Sequence, residues 1–152
     1  MSDFVMELPN DIIKDFENLY KDSEKIFGEM TKAGAEAVEK NVIANLPPEL
    51  KNSNFRKCVD ITKTYKTPSD DGINTKVIIS GYYDSKSHGR MIPAPMIANF
   101  YEYGTSNRYT ASGAYRGVMT KKPFFRKSFK KAQIEKVMLD KQKELSGGLL
   151  DE

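Results

Sequence analysis

In residues 99–106, NFYEYGTS, three aromatic residues surround a single carboxylate, Glu102, and a glycine, Gly104, follows them. Pro95 can begin a short helix upstream, and Gly104 is suited to end it in the left-handed conformation. The following residues, 105–122, have no regular period, and such a long irregular segment is typical of a loop that a partner orders. The aromatic side chains would anchor the helix to a sheet: Phe100, with Tyr101 or Tyr103.

Glu102 would lie near the C-terminus of this helix, where the helix dipole disfavours a negative charge. It therefore requires a nearby hydrogen-bond donor, and we expect the N–H of Thr105 and the side chain of Arg108 or Arg126. The alternative is a general base whose pKa is raised by burial beside aromatic rings. No second catalytic group accompanies it, so we predict a residue that holds the base of the loop, with no catalytic residue in the chain.

Upstream, the spacing of apolar residues predicts one long helix from Asn10 or Asp11 to about Asn45, where Pro47 and Pro48 stop it. At 1.5 Å per residue it would be about 50 Å long, so part of its apolar face is expected to extend beyond the body of the protein. Gly34 lies on this apolar stripe and would allow another element to approach closely. The stripe has these members: Ile12, Ile13, Phe16, Leu19, Tyr20, Ile26, Phe27, Met30, Ala33, Ala37 and Val38.

The period then changes to two, which predicts a strand over residues 55–65 and a returning strand over residues 76–83. The sequence Asp70-Asp71-Gly72 supplies the turn between them. Residues 84–95 are interpreted as a polar loop.

The C-terminal part predicts a helix that begins at Pro123 and carries two apolar patches, one for the core and one for a neighbour. We expect one domain over residues 1–145 and a frayed tail over residues 146–152. The predicted fold class is α+β: a long N-terminal helix and a C-terminal helix packed on a small, mainly antiparallel sheet. Of the two apolar patches on the predicted C-terminal helix, the first consists of Phe125, Phe129 and Ala132, and the second of Ile134, Val137, Met138 and Leu145.

Charge is distributed unevenly along the chain. Residues 1–50 carry eleven acidic residues and five lysines, a net charge of −6, whereas residues 121–143 carry nine basic and two acidic residues, a net charge of +7. The chain could neutralise itself on folding, or it could dock head to tail with copies of itself, which builds rings. Two solvated faces that never meet are an equal alternative.

Several classes of chemistry have no support in the sequence. Cys58 is the only cysteine and alternates with predicted core positions, so we expect a buried structural thiol. His88 is the only histidine and is expected in an exposed loop, with no metal ligands at suitable spacing. No signal peptide or membrane-spanning segment is expected, and the chain is predicted to be a soluble intracellular protein without a cofactor.

The basic segment 121–131, KKPFFRKSFKK, supports an alternative function. Lysines interleaved with phenylalanines can contact phosphates and stack on bases, so this segment with Tyr109 or Tyr115 could form a small nucleic-acid-binding domain. An amphipathic helix with a lysine-rich solvent face accounts for the same pattern.

Two short motifs in a fixed order resemble the tail-completion, or head–tail joining, family of long-tailed bacteriophages and related prophage particles. The first is hydrophobic-E-aromatic-G-T within residues 98–105, and the second is K-P-F-hydrophobic-R within residues 122–126. The resemblance covers most of residues 10–140. It departs from the family where Asn52 and Ser53 replace a Thr-Gly pair before the first strand.

The resemblance implies a structural subunit of a ring, expected to be hexameric, at the head-proximal end of a tail. Expected partners are other copies of the chain, the tail tube or tail terminator, the head connector, and a sheath if the tail contracts. DNA would pass through the lumen without sequence-specific binding, and no cofactor or membrane would be involved. The location would be the neck or collar of a virion or tail-like particle assembled in the host cytoplasm. The predicted interface or structural motif consists of Phe100, Tyr101, Glu102, Tyr103, Gly104, Thr105, Arg108, Lys122, Pro123, Phe124, Phe125 and Arg126.

Overall fold

A computed structural model describes residues 10–85 and 89–146, so the predicted loop histidine, His88, lies outside the described residues, and so does the predicted tail beyond residue 146. The four α-helices are α1 (Asn10–Asn45), α2 (Pro48–Lys51), α3 (Ala94–Tyr103) and α4 (Lys131–Ser146). The strands are β1 (Val59–Ile61), β2 (Tyr65–Lys66), β3 (Ile73–Asn74), β4 (Val77–Ile79), β5 (Tyr82–Ser85), β6 (Arg90–Pro93), β7 (Arg108–Tyr109) and β8 (Tyr115–Gly117). The strands form antiparallel two-stranded sheets. The α+β class, with its long N-terminal and its C-terminal helix, is confirmed.

Helix α1 has the predicted bounds, ending at Asn45 just before the two prolines. Its 36 residues span about 54 Å. The half towards the C-terminus is buried around Val38 and Val42, whereas Tyr20 and Phe27 are 57% and 49% exposed. The expectation that part of the apolar face extends beyond the body is therefore confirmed at these two residues. The side chains of residues 10–13 and 15–19, which include Ile12, Ile13, Phe16 and Leu19, are outside the described part of the helix.

The hydrophobic core is centred on two fully buried rings, Phe55 and Phe124. They meet edge to face with centroids 6.3 Å apart, and Tyr83 meets Phe55 in the same way at 6.0 Å. The core thus packs the segment just before β1 against the basic segment 121–131. Its buried members are Val38, Val42, Leu46, Leu50, Phe55, Cys58, Val59, Ala94, Ala98 and Phe124.

The predicted pairing of the two strand segments is confirmed at β1 and β4, and β2 and β3 form a further pair next to the turn. The predicted end of the returning strand is wrong, because Tyr82 and Tyr83 belong to β5, which pairs with β6. The turn between β2 and β3 is made as expected: the Gly72 N–H donates to Asp70 Oδ1 at 3.0 Å, and Asp71 has a φ of 53°. The predicted start of the first strand is too early. Residues Asn54–Cys58 form a 3₁₀ helix because the Ser53 hydroxyl accepts the Phe55 N–H at 3.2 Å.

Two segments predicted as loops contain strands instead. Residues 84–95 contribute to the hairpin β5–β6, and residues 105–122 contain the hairpin β7–β8. Hairpin β7–β8 is largely exposed and needs no apolar face, so the alternation that reveals a strand is missing from its sequence. Hairpin β5–β6 buries one face in part, but the buried positions of β5 are Tyr83 and the polar Ser85, which do not form an apolar alternation.

The C-terminal helix begins at Lys131, not at Pro123 as predicted. Arg126–Ser128 forms a separate 3₁₀ turn, and Phe129 leaves the helical conformation with a ψ of 79°. The Ser128 carbonyl accepts the side-chain amide of Asn41 at 3.2 Å, which holds this turn against α1 and not in line with α4. Phe129 is consequently exposed, and Phe124 fills the core in its place.

Helix α4 packs against α1 at Gly34, which confirms the predicted close approach. A β-carbon on Gly34 would lie 3.1 Å from Met138 Cγ and 3.3 Å from Ile134 Cγ2. Gly28, six residues earlier, has open space, with only Thr64 Cγ2 at 3.7 Å. Alanine substitutions at these two glycines therefore distinguish the effect of helix propensity on stability from the effect of packing.

We expect Gly28→Ala to raise the free energy of unfolding by about 1 kcal/mol, because alanine favours a helix over glycine. Gly34→Ala should not show this stabilisation, because the added carbon overpacks the contact with α4, which costs about 1–3 kcal/mol. Urea unfolding of the two variants measures the difference. Equal stabilisation by both substitutions would contradict the close packing of α4 on α1.

Candidate functional site

Gly104 ends helix α3 and brings the chain against a distant segment. Its N–H donates to the Phe100 carbonyl at 2.9 Å, and its φ of 78° is a conformation that favours glycine. A β-carbon at this position would lie 2.7 Å from the Met119 carbonyl oxygen and 3.0 Å from the Lys121 nitrogen. Gly104 is therefore required for its backbone conformation and also for the contact between the two segments. The predicted helix end is confirmed.

Glu102 is the centre of the site and is 5% exposed. Its Oε2 accepts the N–H groups of Phe124 and Phe125 at 2.9 and 3.0 Å. Its Oε1 accepts the N–H of Arg126 at 3.2 Å and the Nε–H of the same arginine at 3.0 Å. One carboxylate thus binds three successive backbone N–H groups, the ones that begin the 3₁₀ turn at Arg126–Ser128.

The charge of Glu102 is stabilised by these donors. Burial raises the pKa of the carboxyl, but hydrogen bonds from Phe125, the Arg126 side chain, Phe124 and the Arg126 N–H outweigh burial and hold the pKa below its usual value. The general-base alternative requires the opposite, a raised pKa. Both oxygens of the carboxylate accept hydrogen bonds from the protein's own backbone.

A short ladder of backbone contacts continues the site on either side of Glu102. The Lys122 N–H donates to the Tyr101 carbonyl at 2.7 Å, and the Thr105 N–H donates to the Met119 carbonyl at 3.0 Å. The Thr105 hydroxyl accepts the Met119 N–H at 2.9 Å. These bonds close the base of the segment between Thr105 and Met119 and position the β7–β8 hairpin.

Two cations border the site on its exposed side. The Arg126 guanidinium lies 4.9 Å from the centroid of the Tyr103 ring, a cation–π contact, and most of its side chain is exposed. The Lys122 ammonium binds Glu49 Oε1 at 2.5 Å, which raises the pKa of Lys122 and lowers that of Glu49. Both cations thus connect the basic segment to other parts of the fold.

The donors to Glu102 were predicted only in part. Arg126 is confirmed, whereas the predicted donation from the Thr105 N–H is wrong because that group binds Met119. Arg108 is exposed on β7 and does not contact Glu102, so its predicted role is also wrong.

Only some of the predicted aromatic anchors contact the core. Tyr101 packs against the core, whereas Tyr103 is 63% exposed and lies under Arg126 instead of anchoring α3. Phe100 is half-buried. The site has further members that sequence reasoning missed, namely the backbone of Met119 and the carboxylate of Glu49. Neither residue belongs to a recognisable pattern.

The basic segment 121–131 lies beside this site. Phe124 is buried in the core and Phe125 is half-buried, with its ring 5.3 Å from that of Phe129. Phe129 is 49% exposed, and the lysines at 121, 127 and 130 are exposed. Stacking on nucleobases from this segment would therefore depend mainly on Phe129.

In the described part of the chain, the remaining candidate groups form no second site. Cys58 is buried, as predicted, although it ends the 3₁₀ helix and is not on a strand, and burial raises the pKa of its thiol. Within residues 10–85 and 89–146, no three His, Cys, Asp or Glu side chains are grouped as a metal site would require. No helix in this described part is apolar over a length that would cross a membrane.

No protein-family model, curated protein or solved structure matches this chain.

Proposed function

We propose that this protein is a structural, ring-forming subunit at the head-proximal end of a bacteriophage tail or of a prophage-derived tail-like particle. Its role would be tail completion, head–tail joining or formation of the collar. It acts by contacts between surfaces, and it needs neither a catalytic residue nor a cofactor for this role.

The observation that carries the proposal is the joining of the two motifs on which the family resemblance rests. Glu102 of the first motif binds the N–H groups of Phe124, Phe125 and Arg126 in the second. Gly104 leaves room for the backbone at Met119. The residue types of both motifs are thus explained by one structural unit, which has the properties of a support and fixes the base of an exposed hairpin.

The charge distribution is a second argument. Among the described side chains, a single ion pair, Lys122 to Glu49, joins the acidic segment 1–50 to the basic segment 121–143. Within the described part of the chain, five of the nine basic residues of segment 121–143 have no ion pair, and neither do Asp22, Glu29, Glu36 and Glu39 of the acidic segment. Unlike surfaces on one subunit favour heterologous contacts, which close into rings.

The partners of such a ring follow from its position. Copies of the chain would form the ring itself, the tail tube or tail terminator would lie on one side, and the head connector on the other. A sheath would be a further neighbour in a contractile tail. DNA would pass through the lumen without sequence-specific contacts.

The proposal is tested by the oligomeric state and the location of the protein. We expect light scattering after size-exclusion chromatography and electron microscopy to show closed rings, with hexamers as the expected species. Electron microscopy of the native particle should place the protein at the neck or collar. A monomer in solution that is also absent from the neck of the particle would refute the proposal.

The same protein preparations distinguish the nucleic-acid alternative from the structural role. It requires DNA binding that weakens steeply with salt, because lysines would displace counterions from phosphates. Neutralising the charges with Lys130→Gln and Lys131→Gln should then abolish DNA binding without changing assembly. Rings without salt-dependent DNA binding favour the structural role.

A further inference from the structure

The hairpin β7–β8 and the residues that connect it to its base, 105–119, form an exposed arm. Arg108, Tyr109, Tyr115 and Arg116 are all exposed, and β7 and β8 pack mainly on each other. Among the described residues, neither arginine has an ion pair or a hydrogen-bonded side-chain partner. A two-stranded hairpin is marginally stable on its own in water, so a surface that packs on the arm would stabilise it.

The arm has the composition of an interface anchor. The tyrosine rings lie 5.5 Å apart on a cross-strand pair, with 60% and 58% of the two residues exposed. Tyrosine and arginine are the residue types that dominate binding energy at protein interfaces. The sequence has no acidic residue between Glu102 and Glu135, so the arm is purely cationic.

A groove of complementary character lies elsewhere on the molecule, between α1 and the segment from β1 to β2. It has a volume of about 640 Å³, and its four carboxylates are Glu29, Glu36, Glu39 and Asp60. Asp22, Glu29 and Glu36 are seven residues apart, which is close to two helical turns, so they form a line along α1. We call this surface the acidic groove.

The acidic groove also contains three lysines, Lys32, Lys40 and Lys63, which are outnumbered by the carboxylates. The arm can pair with both signs of charge. Its arginines can bind carboxylates in a bidentate manner, and the faces of Tyr109 and Tyr115 can accept ammonium groups as cation–π partners.

We propose that the arm of one copy docks in the acidic groove of the next copy. This inference rests on the proposed function and names the contact that closes the ring. The arm does not occupy the groove of its own chain, because both of its tyrosines and both of its arginines are exposed. Arm and groove are different surfaces, so the contact is heterologous, as a ring requires. The carboxylates favour a second copy over nucleic acid as the partner.

A charge exchange tests the contact on the full-length chain. We expect Arg108→Glu with Arg116→Glu to weaken ring formation by about a hundredfold or more, as reversal of paired charges does at interfaces. Glu36→Lys with Glu39→Lys should have the same effect from the other side. The chain that carries all four substitutions should form rings again, as measured by light scattering after size-exclusion chromatography.

Arg56→Glu with Lys57→Glu is the matched control, because it makes the same change in net charge at exposed positions outside the arm, the acidic groove and the basic segment 121–143. It should leave rings intact. Circular dichroism of each variant checks that the fold is retained.

The outcomes separate this contact from the proposed function. Rings that persist in the arm variant, or rings that the four-fold variant does not restore, would overturn the arm–groove contact and leave a ring subunit with another interface. An arm variant that loses only salt-dependent DNA binding would overturn it in favour of nucleic acid. A wild-type protein that never associates, alone or in the particle, would refute both proposals.

Discussion

Glu102→Gln is expected to lower the free energy of unfolding by about 3 kcal/mol. The carboxylate is almost fully buried and accepts three backbone N–H groups and the Arg126 Nε–H. Glutamine keeps one acceptor oxygen but turns an NH₂ group towards donors, and an unsatisfied buried donor costs about 1–3 kcal/mol in addition to the loss of charge-assisted bonds. Because small domains are stable by about 5–15 kcal/mol, this loss is large.

The measurement is urea unfolding at neutral pH, with Glu135→Gln as the matched control. Glu135 is exposed on α4 and pairs with Lys131 across one helical turn, so its substitution should change stability by less than about 0.5 kcal/mol. Equal stability of the Glu102→Gln and Glu135→Gln variants would show that Glu102 is not a structural support. Loss of an enzymatic activity in a fully stable Glu102→Gln variant would instead favour the general-base alternative.

The same substitution has a characteristic pH dependence. The pKa of Glu102 is lower in the folded protein than its usual value of 4.5, so the folded state favours the ionised form. The stability that the charge contributes is fully present above pH 4.5 and is lost as the pH falls through the folded-state pKa. The difference between wild type and Glu102→Gln should therefore be largest at neutral pH and shrink below pH 4.5. A difference that is constant with pH would contradict the proposed charge effect.

Gly104→Ala is expected to be about as damaging, with a loss of about 3 kcal/mol or more. A residue with a β-carbon is strained at a φ of 78° and a ψ of −171°, a region that essentially only glycine adopts, at a cost of about 1–3 kcal/mol. The added carbon would also lie 2.7 Å from the Met119 carbonyl oxygen, where the clash is with backbone and not with a flexible side chain. The two segments that Glu102 joins would have to separate.

Gly113 provides the control for the backbone conformation. It has a φ of 83° at the tip of the arm, and a β-carbon there would meet no other atom within 4 Å, so Gly113→Ala should cost only the conformational strain. Thermal or urea unfolding of both variants isolates the packing contribution at Gly104. Similar losses for the two glycines would show that close approach at Met119 is not required. Gly104 lies at the base of the arm, so we also expect Gly104→Ala to impair ring formation. Gly113→Ala changes only the tip of the arm.

These experiments address a site whose parts were predictable to different degrees. Gly104 as a helix end and the need of Glu102 for a donor follow from local rules, namely the conformational freedom of glycine and the cost of a carboxylate near a helix C-terminus. The choice of Arg126 over Arg108 as that donor was decided by the tertiary structure. The N–H groups of Phe124 and Phe125 were not predictable. They come from a segment more than twenty residues away, in which the sequence pattern predicts the start of a helix.

The same distinction applies to the fold. Helix α1, the turn at Asp70–Gly72 and the close approach at Gly34 were readable because each depends on neighbouring residues: a regular apolar period, a turn-forming side chain, a missing side chain on an apolar stripe. Hairpin β7–β8 was not, because an exposed strand pair buries no face that would impose a period. Hairpin β5–β6 was not, because its partly buried face includes the polar Ser85 and shows no apolar alternation. The late start of α4 was not predictable either. The break before α4 depends on Asn41, whose amide reaches Ser128 only after α1 and the C-terminal segment have packed together. Local preferences depend on adjacent residues and can therefore be predicted from the sequence. Hydrogen bonds across long loops form only after the core has packed, because only then do their donors and acceptors lie within about 3 Å of each other.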